Sequence, residues 1–205
     1  MSRLNKTFLV VFLVVLLDQV IKFWIKTSFT LGEELRFFDW MVLHFTENNG
    51  MAFGLEFGGV VGKILLTTFR IVAVSVLGWY IVRLAKEDAP MGYLLSVGLI
   101  MAGALGNIID STFYGLLFSE STPYELAKFL PDGGHYAPLL QGRVVDMLYF
   151  KIIDTHWPSW VPMWGGESFQ FFRPVFNIAD ASISIGVMII LAFYRSYLRD
   201  QKLIP

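Results

Sequence analysis

The chain has 205 residues, of which 55% are hydrophobic, and a formal net charge of −1 at pH 7. So large an apolar share is unusual for a soluble domain of this length, and it predicts an integral membrane protein. The near-zero net charge gives no electrostatic reason to expect a nucleic-acid partner. The sequence has no cysteine, which excludes disulfides, a thiol nucleophile and a cysteine metal site.

Common signatures of hydrolases are also missing. The three histidines, His44, His135 and His156, lie far apart and do not form the His-Glu-x-x-His pattern of zinc proteases. The sequence contains neither a Gly-x-Ser-x-Gly nucleophile motif nor a phosphate-binding loop. A hydrolytic function would therefore depend on other groups.

Four stretches are apolar enough for a membrane-crossing helix, which takes about 20 residues. We predict a single membrane domain over residues 1–205, all-α with a small β-sheet. Its spans are expected at about residues 6–26, 60–83, 91–113 and 176–195. The first is predicted to be a retained helix and not a signal peptide, because Asp18 and Lys22 stand where a small-residue cleavage site would be needed.

Basic residues predict the orientation of these spans. They lie before the first span, between the second and third, and after the fourth: Arg3, Lys6, Arg83, Lys86, Arg195, Arg199 and Lys202. With four spans, all of them fall on one side, which the positive-inside rule makes cytoplasmic. Both termini are then cytoplasmic, and residues 27–59 and 114–175 lie outside.

The outer segments carry their own signals. Residues 35–38 and 41–45 have strand-like composition, and Asn48-Asn49-Gly50 favours a turn. These features predict a small extracytoplasmic sheet. We also expect a short helix at 123–130, and an interfacial position for the aromatic-rich stretch 151–175.

The predicted topology gathers polar residues near the outer membrane face. They come from three spans and one outer loop: Asp18, Asn107, Asp110, Asp146, Asn177 and Asp180. Ionisable residues in a membrane are candidates for a functional site because burying them is costly. Small residues favour close helix packing around them, at Gly98, Ala102, Gly106, Ser182 and Gly186.

Spacing within the spans suggests acid–base chemistry. Asn107 and Asp110, like Asn177 and Asp180, are three residues apart, so each helix presents an amide and a carboxylate on one face. Two neighbouring carboxylates with separated pKa values can hydrolyse a peptide bond, one as base toward water and one as acid toward the carbonyl. Such a pair titrates as a unit and needs neither metal, cofactor nor covalent intermediate.

Five segments in order resemble the motifs of the lipoprotein signal peptidases, also called signal peptidase II. They are Asp18-Gln19-x-x-Lys22, Asn48-Asn49-Gly50-Met51-Ala52-Phe53-Gly54, Gly106-Asn107-Ile108-Ile109-Asp110, Val144-Val145-Asp146 and Phe176-Asn177-Ile178-Ala179-Asp180. Each is weak alone, but five in order on four predicted spans are specific, and the resemblance covers most of the chain.

The resemblance implies an aspartic endopeptidase of the bacterial inner membrane. It would cut the signal peptide from a prolipoprotein before a diacylglyceryl-modified cysteine, and the family's cyclic peptide antibiotic inhibitors would occupy its site. By match to the motifs, Asp146 and Asp180 form the catalytic dyad. Further residues would position substrate or support the dyad: Asn48, Asn107, Asn177, Asp18 and Asp110.

The chain departs from the family pattern in two places. Ser111 stands where the family usually has an arginine, and Arg143 or Arg70 is expected to supply the missing cation. The segment 112–142 is longer than the resemblance leads us to expect, which suggests a gate over the site.

Several alternatives stay open at this stage. Asp146 and Asp180 are also compatible with helix capping or a buried ion pair, Asp18 with a structural pair to Lys22, and Asn48 with a turn role alone. A small proton-coupled membrane transporter is the alternative function, because intramembrane acids and lysines also build proton relays. A non-enzymatic scaffold is a third class.

Overall fold

A computed structural model describes residues 1–50, 59–171 and 174–200. Three helical segments in it are long and apolar enough to cross a membrane, and they are Arg3–Ser28, Gly59–Lys86 and Met91–Leu117. The first is α1 and the second is α2. The third comprises α3 (Met91–Ile109), a π-helical turn (Asp110–Tyr114) and the short α4 (Gly115–Leu117). The first three predicted spans therefore each coincide with such a helical segment.

The fourth predicted span is a shorter helix. α5 covers Ile178–Phe193, and a break at Tyr194 separates it from α6 (Arg195–Asp200). Its 16 residues span about 24 Å at 1.5 Å per residue, which is less than the thickness of a typical hydrocarbon core. A fourth crossing of the membrane thus stays a prediction.

In the described residues the strands form two antiparallel sheets. The larger has the order β1-β2-β3-β6, with strands Glu34–Phe38, Met41–Asn48, Val144–Phe150 and Val175–Phe176. The smaller pairs β4 (Asp154–His156) with β5 (Ser168–Gln170). The two strands predicted after α1 are confirmed as β1 and β2, but the helix expected at 123–130 is wrong, because those residues form bends and one isolated β-bridge.

The aromatic stretch expected at the interface carries the small sheet. Trp160 and Trp164 are exposed near it, as interfacial anchors would be. Contact with lipid headgroups stays a prediction.

An irregularity in the sheet aligns the site. Leu43 pairs with Leu148 and Thr46 pairs with Asp146, so β2 has one more residue than β3 between these two pairs. A bulge of this kind bends a strand and redirects the side chains that follow it. Asn48 pairs with Val144 and is a diagonal neighbour of Asp146, within reach across the sheet.

Close packing of α3 on α5 depends on glycine. A Cβ atom at Gly103 would lie 2.1 Å from the backbone oxygen of Ala179, and one at Gly186 would lie 2.6 Å from that of Ser96. The hydroxyl of Ser182 donates a 2.7 Å hydrogen bond to the carbonyl of Leu99. Of the small residues that predicted close helix approach, Ser182 and Gly186 are at this contact, whereas Gly98 faces Thr7 of α1 and Gly103 was not among those predicted. The contact brings the polar ends of α3 and α5 together.

Candidate active site

Asp146 lies in β3 with both carboxylate oxygens held by amides. Its side chain is buried, with the Nδ2 atom of Asn177 2.7 Å from Oδ1. The Nδ2 atom of Asn48 donates to Oδ2. Because the two donors come from a helix cap and from the neighbouring strand, they fix the orientation of the carboxylate.

Asp180 lies in the first turn of α5 and is held by the helix cap. Asn177 is the N-cap residue, and its Oδ1 atom accepts a 2.9 Å hydrogen bond from the backbone N–H of Asp180. The Oδ2 atom of Asp180 accepts in return from the backbone N–H of Asn177, at 3.4 Å. This reciprocal capping box satisfies N–H groups at the helix start. A 2.8 Å hydrogen bond from Asn107 to the other oxygen of Asp180 completes its fixation.

Two amides join the two acids. The Nδ2 atom of Asn177 donates a hydrogen bond to Asp146 and a second one, of 3.1 Å, to the Oδ1 atom of Asn107. Asn107 in turn donates to Asp180. The carboxylates of a strand and a helix, 34 residues apart in sequence, therefore belong to one hydrogen-bonded cluster.

The surroundings of Asp146 favour its protonated form. Burial raises the pKa of its carboxyl to about 7, and the negative charge of Asp180 adds to the rise. The positive charge of Lys22 and the hydrogen bonds from Asn177 and Asn48 oppose it. A carboxyl with a pKa near 7 can hold or release a proton at neutral pH, as acid–base catalysis requires.

A buried lysine binds the residues that support the two acids. The Nζ atom of Lys22 is 2.7 Å from Oδ2 of Asp110, 3.0 Å from Oδ2 of Asp18 and 2.9 Å from Oδ1 of Asn107. Lys22, Asp18 and Asp110 are almost completely excluded from solvent. Breaking such a group by removing one partner leaves an uncompensated buried charge, which is strongly destabilising.

Asp18 and Asp110 hold the elements that carry the two acids. Asp18 accepts a 2.9 Å hydrogen bond from the backbone N–H of Ala179, directly before Asp180. Asp110 accepts one of 3.2 Å from the backbone N–H of Val145, directly before Asp146. Each therefore fixes the backbone next to one proposed catalytic residue.

Gln19 also belongs to the site, although from the sequence it was only part of the first motif and no role was predicted for it. Its Nε2 atom lies 2.9 Å from Asp110 and 3.1 Å from Asp18, and Tyr114 donates to its Oε1 atom at 3.2 Å. The available signal was its place beside Asp18 inside an otherwise apolar run. A polar amide there is costly unless it has partners.

Lys22 of the first motif supplies the cation at Asp110. Arg143 lies instead 3.1 Å from Glu120 and 3.6 Å from Glu47, so the expectation that it serves Asp110 is wrong. A role of Arg143 or Arg70 toward the substrate backbone stays a prediction. Arg70 donates to the backbone oxygen of Gly50, and its Nη1 atom is buried without a hydrogen-bond partner in the described parts of the chain.

The second motif is only partly described. Asn48 and Gly50 form a turn in which the backbone N–H of Gly50 donates to Oδ1 of Asn48. Asn49 accepts a 2.9 Å hydrogen bond from Lys63 of α2. The rest of the motif, residues 51–54, lies outside the described residues.

Known proteins match this chain over most of its length. The family described as Signal peptidase (SPase) II matches residues 10–195. A lipoprotein signal peptidase of Porphyromonas gingivalis is 47% identical over 198 residues, which cover 95% of this chain and 86% of that protein. One from Amoebophilus asiaticus is 38% identical over 205 residues, 97% of this chain and 81% of that protein.

A solved structure shares the fold. It is a bacterial membrane enzyme determined by the in meso method at 1.9 Å resolution, and it is 26% identical to this chain with a TM-score of 0.59. The likeness covers 96% of this chain and 94% of that one.

Proposed function

Because the chain belongs to the signal peptidase II family, and is therefore a membrane protease, we propose that it removes signal peptides from diacylglyceryl-modified prolipoproteins. Cleavage occurs before the lipid-modified cysteine, and the reaction is that of an aspartic endopeptidase. One observation carries the proposal most directly. Asn177 contacts Asp146 and caps the helix that carries Asp180, so two acids from different elements face one small region.

The two acids divide the chemistry. A water molecule between them gives a proton to ionised Asp180 and attacks the scissile carbonyl carbon. Protonated Asp146, whose pKa is raised to about 7, donates its proton to the carbonyl oxygen. When the tetrahedral intermediate breaks its C–N bond, the proton held by Asp180 passes to the leaving amine. Ionised Asp146 takes a proton back from one hydroxyl of the intermediate as the new carboxyl carbonyl forms, so both acids return to their starting states.

The amides keep the acids in place during these transfers. Asn48 and Asn177 hold Asp146, and Asn107 holds Asp180. Asp18 and Asp110 support the site through Lys22 and the neighbouring backbone. Each proposed catalytic carboxyl thus keeps a defined orientation.

In this proposal the site lies near the outer face of the bacterial inner membrane. With α5 as a fourth crossing, the basic residues at both termini and in the α2–α3 link lie on the cytoplasmic side. The substrate enters sideways from the lipid, since its acyl chains and signal helix are both apolar. Cyclic peptide antibiotics that inhibit the family compete with the substrate for the same site.

Cleavage of a defined precursor tests the function. Protein purified in detergent is given a diacylglyceryl-modified prolipoprotein, and wild type is compared with Asp146→Asn and Asp180→Asn. Wild type is expected to cleave, and each variant to lose roughly 10²–10⁴-fold in rate, the usual contribution of acid–base catalysis. Asp88→Asn is the matched control, because Asp88 is exposed and pairs with Arg3 at the other end of the molecule.

Two outcomes would contradict the proposal. Full cleavage by either dyad variant removes that aspartate from the reaction. If wild type cleaves neither lipidated nor unlipidated precursor, the protease mechanism fails and proton-coupled transport becomes the hypothesis to test. Transport is the second hypothesis because the acids of the site form one connected cluster, whereas a proton relay needs acids spaced through the membrane.

A further inference from the structure

A second buried ion pair lies one helical turn beyond Lys22. Lys26 of α1 pairs with Glu47 of β2, and the two side chains are 0% and 2% exposed. Ser121 contacts both, with its Oγ atom 2.8 Å from the Nζ atom of Lys26 and 2.9 Å from Oε1 of Glu47. The proposed reaction uses none of these three side chains.

The pair is surrounded by groups from the outer loop and from the start of β3. The Nη1 atom of Arg143 lies 3.6 Å from Oε2 of Glu47, and its Nη2 atom lies 3.1 Å from Glu120. The Lys26 ammonium lies 5.0 Å from the ring centre of Tyr136. The hydroxyl of Tyr136 accepts a 2.7 Å hydrogen bond from the backbone N–H of Arg143. The cluster therefore ties α1, the loop and both central strands together.

This cluster sits directly beside the proposed catalytic contacts. Glu47 precedes Asn48, whose amide donates to Asp146, and Glu47 pairs across the sheet with Val145. Arg143 begins the segment that reaches Asp146 three residues later. A shift of β2 relative to β3 at Glu47 would therefore change the Asn48–Asp146 contact.

We infer that Lys26 and Glu47 are positioning residues, whose ion pair sets the alignment of β2 and thereby holds the Asn48 amide against Asp146. The inference rests on the proposed function for its effect on rate. Well-packed apolar residues often replace a buried ion pair without loss of stability, whereas an ion pair is directional. We therefore assign this pair to the geometry at Asn48 and not to stability.

A double substitution tests the inference without leaving a buried charge unpaired. In Lys26→Met/Glu47→Gln both charges are removed together, and the amide still reaches Ser121. We expect a folded protein with KM changed less than about threefold and kcat lowered on the order of 100-fold, the cost of a misplacement near 1 Å. Arg83→Met/Glu87→Gln is the matched control, because that pair is exposed at the far end of α2, and it should behave as wild type.

The titration of Asp146 separates positioning from a merely structural role. Burial and the charge of Asp180 raise the pKa of Asp146, whereas the charge of Lys22 and the hydrogen bonds from Asn177 and Asn48 lower it. Weakening the Asn48 bond should therefore raise the pKa, both in the pH–rate profile and in carboxyl titration by NMR with ¹³C-labelled aspartate. Ser121→Ala, which removes no charge, should raise the pKa of Asp146 by a smaller amount. This variant replaces the double variant in the test if the double variant does not fold.

The outcomes are distinct. If wild type cleaves while both folded variants keep the wild-type kcat and the wild-type titration of Asp146, the positioning role is wrong and the proposed function stands. If wild type does not cleave, the proposed function fails. The NMR titration then still decides whether the pair sets the Asn48–Asp146 contact.

Discussion

The amide of Asn177 lies 2.7 Å from the carboxylate of Asp146 while the same side chain caps the helix that carries Asp180. The cap of α5 and a hydrogen bond to Asp146 thus depend on one side chain. This arrangement explains why the two acids keep a fixed relation although one is on a strand and the other on a helix.

Substitution of Asn177 by serine should separate its two roles. Serine is a good N-cap residue, so Asn177→Ser should keep the stability of α5 within about 1 kcal/mol. It lacks the amide that donates to Asp146, and we expect a loss of roughly 10- to 100-fold in kcat. Thermal unfolding and cleavage rates of the same preparation measure both effects. Asn177→Ala should lose cap and rate together, and a serine variant with full activity would show that the amide is dispensable.

The cleavage rate should fall as the pH rises through about 7. Burial and the charge of Asp180 raise the pKa of Asp146 to about 7, so its protonated form, the proposed acid, is present below that pH and is lost above it. Initial rates at saturating substrate over pH 5–9 measure this limb. Asn48→Ala should move the limb to higher pH because a hydrogen bond that lowers the pKa is removed. A rate that increases steadily through neutral pH would assign Asp146 the role of base.

Removal of the Lys22 ammonium should destabilise the protein strongly. Lys22→Met leaves Asp18 and Asp110 buried without their cation, and breaking a buried ion pair in this way costs about 3–5 kcal/mol. Arg83→Met is the matched control, since the exposed Arg83–Glu87 pair should contribute at most about 1 kcal/mol. Unfolding in mixed detergent measures both, and equal losses for the two variants would contradict this account of the buried cluster.

A methyl group at Gly103 should disturb the site from outside it. In Gly103→Ala the new Cβ atom would lie 2.1 Å from the backbone oxygen of Ala179, so α5 must move away from α3 and Asp180 away from Asn107. We expect a loss of about 1–3 kcal/mol from overpacking and a lower kcat. Gly78→Ala is the control, because its Cβ atom would meet only Met101, at 3.6 Å. Wild-type rates in Gly103→Ala would show that this helix contact does not set the dyad.

Local chemistry explains what could be predicted. The strands β1 and β2 follow from their composition, and the capping relation of Asn177 and Asp180 follows from a spacing of three residues at a helix start. The pairing of Asp18 with Lys22 follows from the spacing of four residues on one helix face. In each case the partners are close in sequence, so spacing fixes their distance.

Long-range partners could not be predicted in this way. Arg143 or Arg70 was expected to supply the cation missing after Asp110. At Asp110 itself Lys22 of another helix does so, and Arg143 contacts Glu47 and Glu120. The bends at 123–130 replaced an expected helix, because hydrogen bonds to Ser119 and Leu117 hold that segment from outside it. Local propensity is a weak guide where tertiary contacts supply the hydrogen bonds.

The sequence by itself determined that this is a membrane protein with acids and amides in or beside apolar helices, since burial of polar groups in lipid must be justified by function. It also determined, through five motifs in order, the family to which the chain belongs. Only the tertiary structure decided which groups meet. Asn107 reaches Asp180 because α3 packs closely on α5 at Gly103, and Asn48 reaches Asp146 because a bulge aligns β2 with β3. These partners are far apart in the sequence, so spacing along the chain does not predict which of them meet.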